Sequence, residues 1–555
     1  MKRSGAQVLV DSLRECGVDV IFGIPGGVVI PVFDALAASP IRVILTRHEQ
    51  GAAHAADGYA RASGKVGVVL VTSGPGATNI TTGIATANMD SSPVVAITGQ
   101  VKTRMIGNDA FQEADTTGIM RSITKHTYLV RAVDELRRVI HEAFYIASTG
   151  RPGPVVIDLP HDVSTAIAEG ELSKEMDLPG YKPNVKGNTR QIKLAAEAIA
   201  NAKKPILYVG GGVISANACE ELRELAERTQ IPVTTTLMGL GAFPSTSPLS
   251  LGMLGMHGTV PANYAIMNSD LIIAIGARFD DRITGRIDKF APYATVIHID
   301  IDPTSISKSI RVDIPVVGDA KHILREMLKF VRAPDCDDWR AQVARWKAEY
   351  PLRYKPNGLK PQHVVEQICE ATRGEAIICT EVGQNQMWAA QFYKHSKPRH
   401  FISSGGLGTM GFGFPAAIGA QVACPDKIVF DIAGDGSFQM NIQELATAVV
   451  NKLPVKVAIL DNGFLGMVRQ WQELFFDRRY ASTRLDGNPD FAKVAEAYGA
   501  TGMTVERTED VRPAIDRALA TPGPVVIDFK IDPEENVFPM VPAGESLDQM
   551  MSGMA

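Results

Sequence analysis

The sequence predicts an α/β protein made of three doubly wound parallel-sheet domains, the first and third of which resemble each other. Three observations predict this class: β-branched runs that alternate with helical patterns, two polar stretches that divide the chain, and a heptapeptide that occurs twice. With 555 residues the chain exceeds what one hydrophobic core usually serves, so three or four domains are expected.

The predicted strands are short and apolar on both faces, with helical patterns between them. Such strands belong in parallel sheets that are covered on both sides. The runs are Val66–Val71, Val94–Ile97, Val155–Ile157, Pro205–Val209, Leu271–Ile275, Val296–Ile299, Ile428–Ile432 and Val455–Leu460.

Two stretches lack this alternation and are interpreted as linkers. Ser164–Asn188 is polar and contains prolines, and Arg332–Leu359 is charged and contains prolines. The expected domains are therefore residues 1–163, 189–331 and 360–540, followed by a tail at 541–555.

The first and third domains share sequence at nearly constant spacing. Pro152–Asp158 recurs letter for letter as Pro522–Asp528, an offset of 370 residues. Upstream, Gly74-Pro75-Gly76 and Gly434-Asp435-Gly436 each follow a predicted strand, at an offset of 360. We interpret the two regions as copies of one unit and expect a ligand between them, because clefts form at domain interfaces.

Composition excludes several classes of function. The net charge is −5 without a long basic run, so there is no electrostatic footprint for nucleic acid. The apolar runs are far too short to cross a bilayer, and the N-terminus does not have the pattern of a secretory signal. The six cysteines are scattered and form no CxxC, which predicts reduced thiols in a cytoplasmic protein rather than a zinc site or disulfides.

A phosphate and metal site is predicted in the third domain. The glycines of Gly434-Asp435-Gly436 follow a strand and permit close approach to a phosphate, and a helix expected around Asn441–Val450 aims its N-terminus at it. The next strand ends at Asp461-Asn462, which places Asn462 at the same sheet edge as Asp435. A carboxylate, an amide oxygen and phosphate oxygens suit Mg²⁺.

These motifs resemble those of thiamine-diphosphate enzymes, in which GDG is followed by Asn-Asn. The resemblance implies Asp435, Asn462 and the backbone oxygen of Phe464 as metal ligands, although Asp461 stands where the family has its first Asn. It implies that Glu49, in the first-domain motif Arg47-His48-Glu49-Gln50-Gly51-Ala52, protonates the aminopyrimidine ring of the cofactor. The other implied thiamine-diphosphate contacts are Pro25, Gly26, Pro75, Asn79, Gly383, Gln384, Asn385, Gln386, Gly408, Met410, Gly434, Gly436, Ser437, Leu465, Gly466 and Met467.

Within that family the chain resembles the acetohydroxyacid (acetolactate) synthases, specifically the catalytic subunit of the FAD-containing biosynthetic branch. The motifs that carry this resemblance are Gly23–Gly27, Ser73–Asn79, Asp109–Glu113, Gly150–Pro154, Arg278–Arg282 and Met467–Gln472. The resemblance implies a structural FAD in the middle domain, whose Gly210-Gly211-Gly212 turn is by itself only a weak dinucleotide signal. The implied FAD contacts are Arg151, Gly210, Gly211, Gly212, Leu254, Met256, His257, Gly276, Arg278, Asp280, Arg282, Asp300 and Asp319.

The remaining implied roles concern substrates. Arg278 would grip the carboxylate of the incoming 2-keto acid, Trp471 would shape the pocket for its alkyl group, and Gln112 would hydrogen-bond reaction intermediates. The alternatives are a structural ion pair for Arg278 and a core position for Trp471. His161 and Asn385 depart from the family, which commonly has Lys and His there. The tail is an expected lid or, equally, a frayed terminus.

The expected reaction joins two 2-keto acids, pyruvate with pyruvate or 2-ketobutyrate, for branched-chain amino-acid synthesis. The expected assembly is a homodimer or homotetramer with a small regulatory subunit. Three alternatives remain open: a flavin oxidoreductase of the pyruvate oxidase kind, another thiamine-dependent carboligase, and a non-catalytic binding subunit. Retention of Glu49, Asp435 and Asn462 argues against the last of these.

Overall fold

Three sheets of six parallel strands follow one another along the chain in the computed structural model, which describes residues 2–170 and 172–551. This arrangement confirms the α/β class and the presence of three parallel-sheet domains. No helix in those two ranges is long and apolar enough to cross a membrane.

The first and third sheets have the same topology. With the strands of each sheet numbered one to six in chain order, both sheets read 2-1-3-4-6-5 from edge to edge. Two copies of one folding unit therefore flank the middle domain, as the repeated heptapeptide predicts. The strands of the first sheet are Val20–Ile24, Arg42–Leu45, Gly67–Val71, Val94–Gln100, His126–Leu129 and Val155–Pro160, and those of the third are Ile377–Thr380, Phe401–Ser403, Val429–Gly434, Lys456–Asp461, Thr501–Val505 and Val525–Lys530.

The middle sheet has a different strand order, 3-2-1-4-5-6. This is the order of dinucleotide-binding folds, in which ligands bind at the carboxyl edge where the order reverses. The Gly210–Gly212 turn follows the first strand of this sheet and therefore lies at that reversal. The strands are Pro205–Val209, Val233–Thr235, Ser250–Met253, Leu271–Ile275, Thr295–Asp300 and Ile314–Val317.

Helices cover both faces of each sheet and bury the β-branched strands. The α-helices of the first domain are Gly5–Glu15, Ile30–Ala37, Glu49–Ser63, Pro75–Asn79, Thr81–Asp90, Thr116–Met120, Leu136–Ser148 and His161–Thr165. Those of the middle domain are Thr189–Asn201, Gly211–Ser215, Cys219–Thr229, Val260–Asn268, Asp281–Thr284, Ala320–Met327 and Asp337–Glu349. Those of the third domain are Pro361–Ala371, Gln384–Phe392, Gly413–Ala423, Asp435–Phe438, Leu445–Val450, Gly466–Phe475, Phe491–Ala497 and Val511–Ala520.

The first and third domains pack together through helices Glu49–Ser63 and Gly413–Ala423. A Cβ atom at Gly58 would lie 2.1 Å from the Ala416 backbone oxygen, and one at Gly419 would lie 1.9 Å from that of Ala55. Because neither position has space for a side chain, the two backbones meet at a distance that only glycine permits.

Both predicted linkers contain regular structure. Ile167–Ala168 pairs antiparallel with Arg3–Ser4, so the first linker begins as part of the first domain. The second contains helix Asp337–Glu349, whose buried Trp339 donates a hydrogen bond to the Pro205 oxygen and packs in the core of the middle domain. The sequence did not predict this helix because its charged residues and the nearby prolines outweigh its few apolar residues. A helix can nevertheless pack on a core through one narrow apolar face.

Candidate active site between the sister domains

The carboxyl edge of the third sheet brings together the residues predicted to hold a metal. Strands Val429–Gly434 and Lys456–Asp461 are parallel neighbours, with Gly434 opposite Leu460, so Asp435 and Asp461 follow at the same edge. The helix after the glycine turn begins at Asp435 itself rather than around Asn441, where the backbone is kinked. Asp435 thus stands in the first turn of a helix, where the backbone favours a bound anion.

Asn462 is held in place by two hydrogen bonds. Its side-chain oxygen accepts from the Phe464 amide at 3.0 Å, and its side-chain nitrogen donates to Gln384 at 3.1 Å. The backbone of Phe464 therefore turns back onto Asn462. The carboxylate, amide and carbonyl oxygens of this edge are the hard ligands that Mg²⁺ prefers, with phosphate oxygens to complete the coordination. No cluster of three or more His, Cys, Asp or Glu suited to a metal occurs in the described ranges, 2–170 and 172–551.

Asp435 is almost fully buried and bonded to Asn488, whose amide nitrogen donates to its carboxylate at 2.7 Å. Burial, followed by the charge of Asp461, raises the pKa of Asp435 to about 7. A bound divalent cation would supply the positive charge that this buried carboxyl lacks.

The remaining contacts predicted in the third domain converge on this edge. Helices Gln384–Phe392 and Gly466–Phe475 both begin here, and a Cβ at Gly466 would lie 2.2 Å from the Gln384 side-chain oxygen. The side-chain nitrogen of Asn385 donates to the Glu381 and Ile432 carbonyls, so this side chain stabilises the backbone at the ends of two neighbouring strands. The Ser437 hydroxyl bonds back to Gly434, and the Gln386 side chain bonds Ser403 and Ser404. Gly383 directly precedes the first of the two helices and Leu465 the second, and Met467 is the second residue of the second helix.

The glycine loop that carries Met410 lies against the same turn. A Cβ at Gly436 would meet Leu465 at 2.9 Å and the terminal carbon of Met410 at 3.9 Å. The loop is held by buried Glu381, whose carboxylate accepts from the Gly411 and Phe414 amides at 2.6 and 3.1 Å. Gly408 in this loop has φ +73°, a conformation that favours glycine.

The carboxyl edge of the first sheet carries Glu49. Its carboxylate accepts from the Asn79 amide at 2.9 Å and would lie 3.7 Å from a Cβ at Gly76. Gln112 packs its backbone against Gly74 in the same turn, and Pro75 and Gln112 are exposed. Gly26 lies against Thr72, directly after Pro25.

Glu444 links the third domain to the residues that directly precede Glu49 in the same chain. Its carboxylate accepts from the backbone amides of Arg47 and His48, both at 3.0 Å, immediately before Glu49. Within the part of the chain that the structure describes, Glu49 bonds Asn79 and makes no hydrogen bond to Asp435 or Asn462. A single chain thus presents both halves of the predicted site without joining them directly.

All the residues implied for FAD line one cavity of about 590 Å³ at the carboxyl edge of the middle sheet, a size typical of cofactor sites. A Cβ at Gly210 would lie 2.2 Å from the Gly276 oxygen, so the turn and the neighbouring strand end are in close contact. Burial, with the charge of Arg282, lowers the pKa of His257 to about 4. The implied residues on the cavity wall are Arg151, Gly210, Gly211, Gly212, Leu254, Met256, His257, Gly276, Arg278, Asp280, Arg282, Asp300 and Asp319.

Two of the predicted substrate residues lie where the middle and third domains meet. The guanidinium of Arg282 lies 5.7 Å from the centre of the Trp471 ring, and the Trp471 ring nitrogen is buried without a hydrogen-bond partner among the described residues. Arg278 lies on the cavity wall, and its backbone oxygen accepts from Tyr208 at 2.7 Å.

The tail, as far as it is described, is docked on the middle domain. The Val541 amide donates to the Met256 oxygen at 2.8 Å, and the Arg286 amide donates to the Glu545 oxygen at 3.1 Å. Leu547 is fully buried in the middle-domain core, and Met551 pairs with Met540. The described part of the tail therefore packs on the middle domain, next to Met256 and Arg286. Residues 552–555 of the predicted lid lie outside the described residues.

Three residues of the site belong to no recognisable sequence motif: Asn488, Glu381 and Glu444. Asn488 is a single amide in a loop, and Glu381 and Glu444 are isolated acids whose partners are distant backbone amides.

Three family models match the chain, one to each domain. They are the N-terminal TPP binding domain of thiamine pyrophosphate enzymes over residues 3–119, the central domain over 192–327, and the C-terminal TPP binding domain over 381–529. The chain is also 53% identical over 564 residues to an acetolactate synthase of Mycobacterium bovis, covering 99% of this chain and 91% of the relative.

The chain belongs to the acetolactate synthase family of thiamine pyrophosphate enzymes. The acetolactate synthase large subunit of Haemophilus influenzae is 49% identical over 562 residues, covering 99% and 98% of the two chains. A probable acetolactate synthase large subunit of Methanocaldococcus jannaschii is 50% identical over 561 residues, covering 99% and 95%. The predicted membership in this family is confirmed.

Proposed function

We propose that this protein is an acetolactate synthase: it decarboxylates pyruvate on thiamine diphosphate and joins the remaining two-carbon unit to a second 2-keto acid. The second substrate is pyruvate or 2-ketobutyrate, and the products enter branched-chain amino-acid synthesis. The observation that carries this proposal is identity of about half the residues over nearly the full length of acetolactate synthases from distant organisms.

The metal edge fits Mg²⁺ and a diphosphate. Asp435, the side-chain oxygen of Asn462 and the carbonyl of Phe464 would hold the ion, while the amides that begin helices Gln384–Phe392 and Gly466–Phe475 would face the phosphates. The bound cofactor supplies an electron sink for the decarboxylation. The protein would hold the diphosphate at this edge, place Met410 against the cofactor and offer Glu49 to its ring nitrogen.

Glu49 has the surroundings that this task requires. Asn79 fixes one carboxylate oxygen, and the helix that starts at Glu49 packs firmly on the third domain through Gly58 and Gly419. A carboxylate so oriented can give a proton to a ring nitrogen and take it back without contacting the substrate. Arg278 would pair with the keto-acid carboxylate, Trp471 would bound its alkyl group, and Gln112 would bond the reacting oxygen.

The middle cavity fits FAD. Its strand order and its glycine turn at the reversal point are features of a dinucleotide site. On the cavity wall, the Nδ1 atom of His257 is buried without a hydrogen-bond partner among the described residues and would bond the ligand. Because joining two keto acids transfers no net electrons, the proposed FAD is structural here.

The proposed assembly is a cytoplasmic homodimer or homotetramer in which Glu49 of one subunit faces the metal edge of another. Exposed apolar side chains at Phe111, Leu407 and Met440 border the two edges and favour burial by a second copy. The name "large subunit" given to the relatives supports a small regulatory partner.

Incubation with pyruvate, followed by acidification and a colour assay for acetoin, tests the proposed activity. Acetoin should form only when thiamine diphosphate and Mg²⁺ are present. Oxygen uptake or quinone reduction without acetoin would instead identify a pyruvate oxidase-like flavoenzyme, and turnover of neither kind would refute the assignment.

A further inference from the structure

A lysine lies at the carboxyl edge of the third sheet that carries Asp435 and Asn462, on the far side of the Asp461 strand from Asp435. Strands Lys456–Asp461 and Val525–Lys530 are parallel neighbours in which Asp461 lies opposite Lys530. The Lys530 ammonium bonds the Asp461 carboxylate at 2.5 Å and the Asp528 carboxylate at 2.7 Å. The two acids are almost fully buried, while the lysine side chain is 40% exposed.

This lysine matters because acids otherwise dominate the edge. Asp461 ends its strand, Asp435 directly follows the neighbouring strand on one side, and Asp528 lies two residues before the end of the neighbouring strand on the other side. Lys530 bonds two of these three acids. The diphosphate proposed for this edge is itself strongly anionic. An uncompensated Asp461 beside Asn462 would repel it through a medium of low effective dielectric constant.

The first sheet contains the same buried aspartate without the lysine. Asp158, the counterpart of Asp528, accepts from the Thr98 hydroxyl at 2.7 Å and from the Gln100 amide at 3.0 Å. Gln100 occupies the register position of Asp461, and Pro160 that of Lys530. In the first domain, which has no predicted metal site, the neutral amide of Gln100 hydrogen-bonds the buried aspartate. In the third domain, which has one, Asp461 stands in place of Gln100 and Lys530 in place of Pro160.

We propose that Lys530 is a positioning residue that neutralises Asp461 and thereby keeps the neighbouring Asp435–Asn462 edge able to bind a diphosphate. The inference rests on the proposed thiamine-diphosphate site. It also accounts for the family departure at Asp461, whose added charge is matched by Lys530 on the adjacent strand.

A purely structural role for Lys530 has a different consequence. Its ammonium also lies 6.0 Å from the centre of the Phe491 ring, so it could simply anchor helix Phe491–Ala497. In that case its loss would lower stability whatever residue stood at position 461. Neutralisation instead requires that the effect of losing Lys530 depend on the charge of Asp461.

The test is calorimetric titration of thiamine diphosphate, at saturating Mg²⁺, into the cofactor-stripped full-length chain and its variants. Lys530→Met should raise the dissociation constant about tenfold, because the charge of Asp461, which directly precedes the proposed metal ligand Asn462, is then no longer neutralised. Asp461→Asn should bind close to wild type, because Lys530 keeps Asp528. The double variant Asp461→Asn, Lys530→Met should recover binding to within about twofold of wild type.

Lys456→Met is the matched control. Lys456 lies on the same strand as Asp461 but at its amino end, where its ammonium bonds the Thr521 and Gly523 oxygens at 2.8 Å. This variant should lose stability and keep its affinity for thiamine diphosphate. Unchanged affinity in Lys530→Met, or an equal loss in the Asp461→Asn background, would overturn the role of Lys530 alone. A wild-type chain that does not bind thiamine diphosphate would overturn the proposed site and this inference together.

Discussion

The buried ion-pair cluster around Arg61 should be among the most sensitive points of the fold. Its guanidinium bonds Asp57 at 2.6 Å and Asp90 at 3.0 Å, and neither acid has an exposed side chain. It also donates to the Ser403 oxygen at 2.6 Å, while Asp90 accepts from the Gly405 and Gly406 amides. The cluster therefore fastens the start of the Met410 loop to the first domain.

Replacing Arg61 with Met leaves two buried carboxyl groups without their cation. Breaking a buried pair in this way costs about 3–5 kcal/mol, because the remaining charges stay desolvated. For a domain of this size the loss corresponds to a fall of roughly 6–20 °C in unfolding temperature. Scanning calorimetry of the full chain at one fixed scan rate measures it.

Arg512→Met provides the comparison. Arg512 and Asp516 form a pair four residues apart on a helix, as Asp57 and Arg61 do, but their side chains are 45% and 54% exposed. Such a pair contributes about 0–1 kcal/mol. An Arg61→Met chain that unfolds within about 2 °C of wild type would refute the reasoning.

Three further predictions concern other parts of the fold. Gly419→Ala places a Cβ 1.9 Å from the Ala55 oxygen and should lower the free energy of unfolding by about 3 kcal/mol or more. The measurement is the unfolding temperature, and an unchanged unfolding temperature would contradict the close contact between the two helices. Burial raises the pKa of Asp158 to about 7, so the folded chain binds a proton that the unfolded chain lacks between about pH 4 and 7. The unfolding free energy from this group therefore falls as pH rises through that window. Asp158→Asn should flatten the fall between about pH 4 and 7, and parallel curves for the two chains would contradict the prediction. Leu547→Ala leaves a cavity where the tail packs on the middle domain and should weaken that packing by about 2–5 kcal/mol. Proteolysis of the tail should then be about tenfold faster or more, and equal cleavage rates in the two chains would contradict the docked position of the tail.

The sequence predicted the features that rest on chain-local patterns. Buried parallel strands are continuous apolar runs, so Pro205–Val209 and Leu271–Ile275 were predicted with their observed ends. The repeated heptapeptide predicted the shared topology of the outer sheets because duplicated units keep their packing. The strand-end position of Asn462 followed from the parallel arrangement itself.

Features that depend on distant partners could not be predicted in this way. Asn488 contacts Asp435 across 53 residues, and Glu444 bonds amides in another domain almost 400 residues away. The tail was ambiguous because its docking depends on a few scattered apolar side chains, among them Val541 and Leu547, and on backbone hydrogen bonds to distant residues. Helix Asp337–Glu349 was mistaken for a linker because charge and proline content outweighed its narrow apolar stripe.

The role of Glu49 is tested most directly by hydrogen–deuterium exchange at the thiazolium carbon of bound thiamine diphosphate, followed by NMR in wild type and Glu49→Gln. Gln keeps the bond to Asn79 but has no proton to give the ring nitrogen, so the exchange rate should fall about 10²- to 10⁴-fold while the cofactor stays bound. Exchange at the wild-type rate in the folded, cofactor-bound variant would contradict the central claim that one sister domain activates what the other holds.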